Sequence, residues 1–365
     1  MILRCDLIPQ YQRYDKEIHA AVDRVLCSGN YILGPEVSAF EREFADYVHA
    51  GHGVGVANAT DALTLCLMAL GIGAGDEVIT TAYTAIPTVS AIIDAGAKPV
   101  FVDVDPNTYL IDITKIPAAI TPRTKAIMPV HIFGNFVDVL ALRKLVGKLP
   151  VIEDASQAHG ASLGGKPAGS IGEFGVFSFY PTKNLGAYGD GGMIVTPDAE
   201  MAARLKRMRM YGMVDRDHID ITGINSRLDE MQAAILRVKL RHLDEMNENR
   251  ARMAKRYQAE LDPRLFDYQV ITPGAKSCFH LFVPRTKVDR AALRAHFEAH
   301  QIQTTVFYPV PLHLQEANRF LGHRPGALPN VERICERALG LPIYPEMTTE
   351  IQDRVIQVAN QFRMG

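Results

Sequence analysis

Between about residues 54 and 196 short apolar runs alternate with stretches of helical periodicity, and this alternation constrains the fold more than any other feature of the chain. The runs Glu77–Thr80, Val100–Val104, Ala126–His131, Val151–Glu153, Gly175–Phe179 and Gly192–Thr196 have the length and β-branched or aromatic content of buried strands. Between them lie helical segments. In the clearest, Ala62–Leu70, the residues Leu63, Cys66, Leu67 and Leu70 fall at i, i+3, i+4 and i+7, one face of a helix. Strands and helices in alternation predict an α/β domain with a mostly parallel, mixed sheet flanked by helices. A long helix is expected from about Ser226 to Leu261, free of Gly and Pro until Asp262-Pro263. It leads into a smaller C-terminal α+β unit: strand Ser277–Pro284, helix Arg290–His300, strand Gln303–Phe307, and helices near Val331–Leu339 and Thr349–Phe362. The expected division is a large domain over 1–245 and a small domain over 246–365. The segment before residue 50 has few strand signals and is expected to wrap over the large domain or a partner.

Composition excludes several classes of function. A formal net charge of −2 gives no electrostatic reason to expect nucleic acid or an anionic membrane. The one basic run, Arg204 to Arg209, sits on a helical pattern and reads as a solvated face. The cysteines Cys5, Cys27, Cys66, Cys278 and Cys335 are scattered, with no pair at metal-ligand or redox spacing, so reduced thiols in a cytoplasmic protein and no metal are expected. The longest uncharged apolar run, Ala62 to Gly75, is too short to span a bilayer, and Met1 to Asp15 has no apolar core of signal-peptide length.

One lysine, Lys183, lies in Phe177-Ser178-Phe179-Tyr180-Pro181-Thr182-Lys183-Asn184-Leu185-Gly186, between an apolar strand and a glycine-rich loop, with no acid in the six residues before it. That setting suits either an ordinary turn lysine or an amine that must lose its charge to act as a nucleophile. Glu153-Asp154 ends the apolar strand Val151-Ile152, at the position where open α/β sheets bind ligands. A carboxylate there caps a helix or holds a proton on a heteroaromatic nitrogen. Asn58-Ala59-Thr60-Asp61 precedes the Ala62–Leu70 helix. Thr60 or Asp61 would cap that helix, and the same junction offers free backbone N–H groups to a phosphate. Ser178, near the strand end, is either a tolerated small polar residue or a second phosphate ligand. Competing motifs fail: there is no G-x-x-x-x-G-K-[ST] loop and no Gly-x-Ser-x-Gly elbow, and Gly71-Ile72-Gly73-Ala74-Gly75-Asp76 lacks the last glycine of a dinucleotide fingerprint. Lysine, aspartate and phosphate cup together are the parts that pyridoxal phosphate requires.

The motifs Ser28-Gly29-Asn30-Tyr31-Ile32-Leu33-Gly34-Pro35, Asn58-Ala59-Thr60-Asp61-Ala62-Leu63, Gly75-Asp76-Glu77-Val78-Ile79, Glu153-Asp154-Ala155-Ser156-Gln157-Ala158-His159-Gly160, Asn225-Ser226-Arg227-Leu228-Asp229-Glu230 and Tyr308-Pro309-Val310-Pro311-Leu312-His313 follow one another along the chain. In this order, and nearly end to end, the chain resembles the DegT/DnrJ-type sugar aminotransferases, a fold-type I pyridoxal-phosphate family. The resemblance implies that Lys183 forms the Schiff base with the cofactor and later shuttles a proton, that Asp154 pairs with the pyridine nitrogen, and that Gln157 contacts the ring or its hydroxyl. It implies that Ala59, Thr60 and Ser178 hold the phosphate, and that Asn225 reaches the phosphate of a neighbouring subunit, hence a homodimer with shared active sites. Tyr31, His159, Arg227 and Tyr308 are the expected sugar-nucleotide contacts. Lysine at 183, where some members have histidine and dehydrate, implies transamination of a nucleotide-linked keto sugar, with L-glutamate as donor.

The chain departs from the family pattern at three places. Ala59 stands where Asn-Gly-Thr is common, and Phe307 where His-Tyr-Pro is common. Ala85, in Thr84-Ala85-Ile86-Pro87-Thr88, falls where many members stack an aromatic on the cofactor ring. A small residue there resembles the members that aminate C3 of thymidine-diphosphate 3-keto-6-deoxyhexoses. The alternatives are a C4 aminotransferase of the same family and a regulatory relative without turnover.

Overall fold

The expected strands form, in a computed structural model that describes residues 1–363. β1 (His52–Val56), β2 (Glu77–Thr81), β3 (Lys98–Val102), β4 (Thr124–Ile127), β5 (Ile152–Asp154), β6 (Phe174–Ser178) and β7 (Gly192–Thr196) make up the main sheet. β2 and β7 are buried at every position, which is why they read as continuous apolar runs: helices cover both faces. One ladder has the order β1-β7-β6-β5 and the other β3-β2-β4. They meet through parallel bridges at Ile127–Val151 and Val130–Asp154. Within this mixed sheet only β7 runs antiparallel to its neighbours. The ends of β1, β2, β5 and β6 therefore open on one edge.

The segment before residue 50 is helical. α1 (Ile8–Ser28) buries Tyr14, Ile18, Ala21 and Val25 along one stripe, and Gly29 at φ 65° ends it. α2 (Pro35–Tyr47) begins with amides that no residue of its own turn can satisfy. Glu230 supplies the acceptor, taking the N–H groups of Gly34 (2.7 Å), Glu36 (2.8 Å) and Val37 (2.8 Å). The longer of the remaining helices of this part are α3 (Ala59–Ala69), α4 (Ile86–Asp94), α5 (Val139–Val146) and α6 (Ala199–Met208).

The single long helix expected over Ser226–Leu261 is two, α7 (Glu230–Leu240) and α8 (Leu243–Glu260), joined at Arg241-His242. No helix breaker marks this joint. A tertiary contact accompanies it instead, the His242 ring stacked on Tyr14 of α1 at 4.3 Å between centroids. The two C-terminal strands also differ from expectation. Ser277–Pro284 and Gln303–Phe307 make only isolated bridges, Phe282–Leu341 and Thr305–Gly340, and Phe279 at φ 42° interrupts the first. Their apolar residues signal burial, as Cys278, Phe282 and Val283 show, rather than ladder pairing. α9 (Arg290–Ala299), α10 (Pro329–Arg337) and α11 (Thr349–Asn360) form close to the expected positions. Tyr257, Leu293, Phe297, Val355 and Val358 join α8, α9 and α11 in an apolar cluster of their own. Among the described residues no helix is long and apolar enough to cross a membrane, and no cluster of His, Cys, Asp and Glu could hold a metal ion.

Candidate active site

At the open edge of the sheet lies a cavity of about 300 Å³ whose wall includes Ala59, Thr60, Ala85, Asp154, Gln157, Ser178 and Lys183. Each comes from the C-terminal end of a strand, the place where α/β sheets leave backbone groups and side chains free for ligands. Ala59 and Thr60 open α3, so their N–H groups have no intrahelical acceptor. Neither Thr60 nor Asp61 caps that helix. Asn58 does, its side chain accepting from the Asp61 N–H at 2.9 Å. Asp61 instead accepts from the Ser226 hydroxyl (2.6 Å), and Ser226 accepts from the Ala57 N–H (3.0 Å). This ties the Asn225-Ser226-Arg227 motif to the phosphate-type turn. Gly192 is required at the same junction: a Cβ there would lie 2.6 Å from the Asn58 carbonyl carbon.

Lys183 sits in the tight turn after β6, its N–H donating to the Tyr180 carbonyl at 2.8 Å. The side chain is half-buried, its accessible side being the cavity. Burial pushes its pKa down to about 8, against the pull of Asp154, which raises it. Asn184, next to it, anchors the turn. Its Nδ2 donates to Asn247 Oδ1 (2.7 Å) and to the Cys278 carbonyl (2.8 Å). His280 Nδ1 lies 3.0 Å from Asn184 Oδ1. An amide oxygen only accepts, so His280 carries its hydrogen on Nδ1. Burial holds this imidazole neutral, and the Lys183 charge adds to the effect.

Asp154, buried at the end of β5, accepts from the Thr88 hydroxyl at 2.8 Å and from the Ser156 N–H at 3.2 Å. Thr88 is a site residue that sequence reasoning did not single out, although it lies in the stretch that contains Ala85. The neighbouring Glu153 faces the other way. Burial opposes its charge, but His131 and the amides of Gly172 and Gly169 outweigh that and hold its pKa low. It ties loops together and does no chemistry in the cavity. Gln157 accepts from the Phe133 N–H (3.0 Å) and approaches the Tyr308 hydroxyl at 3.4 Å, so Tyr308 meets the site through Gln157.

His159 is corrected from a sugar contact to a core residue. It is fully buried behind Lys183, among Phe44, Phe177 and Phe179. Neither ring nitrogen has a hydrogen-bond partner among the described residues. Burial, with the Lys183 charge, pushes its pKa down to about 3. Tyr31 (48% exposed) and Asn225 lie on the surface, and the Arg227 guanidinium rests 3.8 Å from the Met210 sulfur. None of these three lines the cavity of its own chain.

The donor set fits pyridoxal phosphate. A partly neutral amine shares the cavity with a buried carboxylate, and helix-start amides with a serine hydroxyl lie where a dianion is favoured. Fold and site together define a fold-type I pyridoxal-phosphate enzyme. The sequence pattern of the DegT/DnrJ/EryC1/StrS aminotransferase family matches residues 12–359, and the chain belongs to that family. It is 45% identical over 99% of both chains to the dTDP-3-amino-3,6-dideoxy-alpha-D-galactopyranose transaminase of Aneurinibacillus thermoaerophilus. It is 44% identical to a pleiotropic regulatory protein of Geobacillus stearothermophilus, over 98% of this chain and 97% of that one. The crystal structure of S. venezuelae DesV in complex with a ketimine intermediate superposes with a TM-score of 0.95 at 42% identity, covering 99% of this chain and 97% of that one.

Proposed function

We propose that this nucleotide-sugar aminotransferase acts at C3 of a dTDP-linked 3-keto-6-deoxyhexose, with L-glutamate as amino donor. When bound, pyridoxal phosphate supplies a carbonyl that exchanges with an amine and a ring that withdraws electrons. The chain's own residues do the rest. Asp154 would hold a proton on the ring nitrogen, Gln157 would contact the ring or its hydroxyl, and the Ala59 and Thr60 amides with the Ser178 hydroxyl would bind the phosphate. The Lys183 Nζ takes a proton from the donor carbon and returns one to the sugar carbon. With a pKa of about 8 it is already partly neutral near pH 7, as a general base must be.

The observation that carries the C3 reading is Ala85, a small, half-buried side chain on the cavity wall where an aromatic would fill the space. The 3-amino-sugar specificity of the Aneurinibacillus relative supports it. Incubating the holoenzyme with L-glutamate and either a dTDP-3-keto- or a dTDP-4-keto-6-deoxyhexose, then locating the new C–N bond by NMR, tests it. Nitrogen at C3 is expected; nitrogen at C4 would overturn the C3 reading. The name of the Geobacillus relative favours a second reading, a regulator without turnover, and absence of product from either sugar would favour it.

The site is completed in a cytoplasmic homodimer. Asn225 reaches the phosphate in the neighbouring copy's cavity, and Tyr31 and Arg227 contact the nucleotide sugar there. Supporting this are the apolar side chains Tyr31, Ile32, Tyr211, Val214 and Ile219, which the single chain leaves exposed. Sedimentation at micromolar concentration should give twice the chain mass. Within each subunit we place the boundary between large and small domains at 245/246, at the start of α8.

A further inference from the structure

Asp154 is not held by its own strand alone. Its Oδ2 accepts the Thr88 hydroxyl at 2.8 Å, and the Thr88 oxygen lies 2.8 Å from that of Thr84. An ionised carboxylate only accepts, so the single Thr88 proton goes to Asp154 and the Thr84 hydroxyl must donate to Thr88. The result is a directional chain, Thr84 to Thr88 to Asp154. Both threonines are 1% exposed, and serial hydroxyls in such a place polarise one another. Thr88 also stands in the first turn of α4, whose N-terminus favours the anion. The second oxygen of Asp154 has the Ser156 N–H at 3.2 Å.

We propose that Thr88, backed by Thr84, is a positioning residue that fixes the orientation of the Asp154 carboxylate, so that the proton shared with the cofactor stays on the ring nitrogen. The proposal rests on the reading that this cavity holds pyridoxal phosphate. The segment Thr84–Thr88 then has two roles: Ala85 sets the room on the ring face, and its flanking threonines set the charge at the ring edge. The other titratable groups around Asp154 are Lys183, Tyr180 and Asp190, which line the same cavity, and Tyr308 beyond Gln157. None replaces a donor lost at Thr88, because none is hydrogen-bonded to the carboxylate.

The test uses the wild-type holoenzyme with Thr88→Val, Thr88→Ser and Thr84→Val. Apo protein is titrated with pyridoxal phosphate for its Kd, and the visible absorbance of the bound cofactor is followed against pH. Without the donor, the Asp154 carboxylate is free to turn away from the ring and no longer holds the proton on its nitrogen. The cofactor-bound Lys183 nitrogen then keeps its own proton to higher pH. Thr88→Val should weaken cofactor binding roughly 10–100-fold, a typical loss for a hydrogen bond to a charged group, and raise the absorbance midpoint. Thr88→Ser should restore both, and Thr84→Val should fall between. If Thr88→Val lowers Tm but leaves Kd and midpoint at the wild-type values, Thr88 is merely structural and the proposal fails. If Thr88→Val does not fold, Thr84→Val decides by the same two readouts. A wild-type protein that takes up no pyridoxal phosphate defeats the cofactor reading itself, which is a different result from a coloured wild type with indifferent variants.

Discussion

Two lysines in this molecule share one electrostatic condition and differ in everything else. Lys183 and Lys239 are both pushed down to about 8, each chiefly by burial. Lys183 faces the cavity; its Nζ has no hydrogen bond or ion pair among the described residues. Lys239 of α7 is completely enclosed. Its ammonium donates to the Gly186 carbonyl and lies 4.7 Å from the centre of the Tyr188 ring, a hydrogen bond and a cation–π contact that give the charge partners. Gly186 belongs to the same turn as Lys183, so the second lysine buttresses the loop that carries the first. A lowered pKa therefore does not by itself mark a catalytic lysine. Space for a reacting atom, together with a carboxylate in the same cavity, does.

The sharpest way to break this comparison is to remove each amine in turn. Lys183→Ala should lose on the order of 10⁴-fold or more in kcat, because in the proposed mechanism one group supplies both the nucleophile and the base. Lys239→Met should fold and stay within about tenfold of wild type. Comparable losses in the two variants, read as kcat with glutamate and a keto-sugar nucleotide, would mean that the enclosed lysine takes part in the chemistry. Asp154→Asn should come next, at roughly 10²–10³-fold, since an amide of the same shape cannot stabilise a proton on the ring nitrogen. Near-normal turnover of Asp154→Asn would remove the carboxylate from the definition of the site.

A third measurement reads the difference in access. When cofactor-free protein is treated with pyridoxal phosphate and borohydride, reduction should mark Lys183 by mass spectrometry. Below about pH 8 labelling should fall some tenfold per pH unit, because the free amine is the reactive form. Lys239 should stay unlabelled wherever the protein is folded, since its side chain is completely enclosed. Labelling of Lys239 at a similar rate would contradict the enclosed environment assigned to it.

Much of this contrast is readable in the amino-acid sequence, but not all. The strands and the Lys183 turn could be read because their signals are local: apolar runs of strand length, a glycine-rich loop, an acid at a strand end. Resemblance to a family then connected Asp154, Ala59, Thr60 and Ser178, which lie far apart in sequence and line one cavity. Lys239 gave no signal, because a lysine two positions after Arg237 at the end of a helix reads by residue type as solvated. Nor did the break between α7 and α8, since it coincides with the stacking of His242 on Tyr14 and not with a glycine or proline. His159 was misread for the same reason. Its motif placed it beside Asp154 and Gln157 in sequence, while the turn after β5 sends its side chain among Phe44, Phe177 and Phe179. The Thr84–Thr88–Asp154 chain depends on β2 and β5 ending at the same edge, which no local pattern encodes.

The smallest effect is one of stability, and its sign separates the two lysines again. Folding moves Lys183 from an ordinary 10.5 to about 8, so between those values the unfolded chain binds more protons than the native one. Stability then rises with pH across that window, and the penalty for burying the ammonium is complete below about pH 8. The full shift corresponds to about 3 kcal/mol, reduced to about half by solvent screening in the cavity, so Lys183→Met should stabilise the cofactor-free protein by about 1–2 kcal/mol at pH 7. The gain should shrink steadily towards pH 10. Lys239→Met relieves a similar burial penalty, but it also strips the Gly186 carbonyl of its donor, at about 1–3 kcal/mol. The two contributions oppose each other, and its net gain at pH 7 should be smaller than that of Lys183→Met. Urea denaturation of both variants and wild type at pH 7 and pH 9.5 measures this. A Lys183→Met protein that is less stable than wild type at pH 7 would show that the amine has a partner in the native state, and that its lowered pKa has some cause other than burial in a half-open cavity.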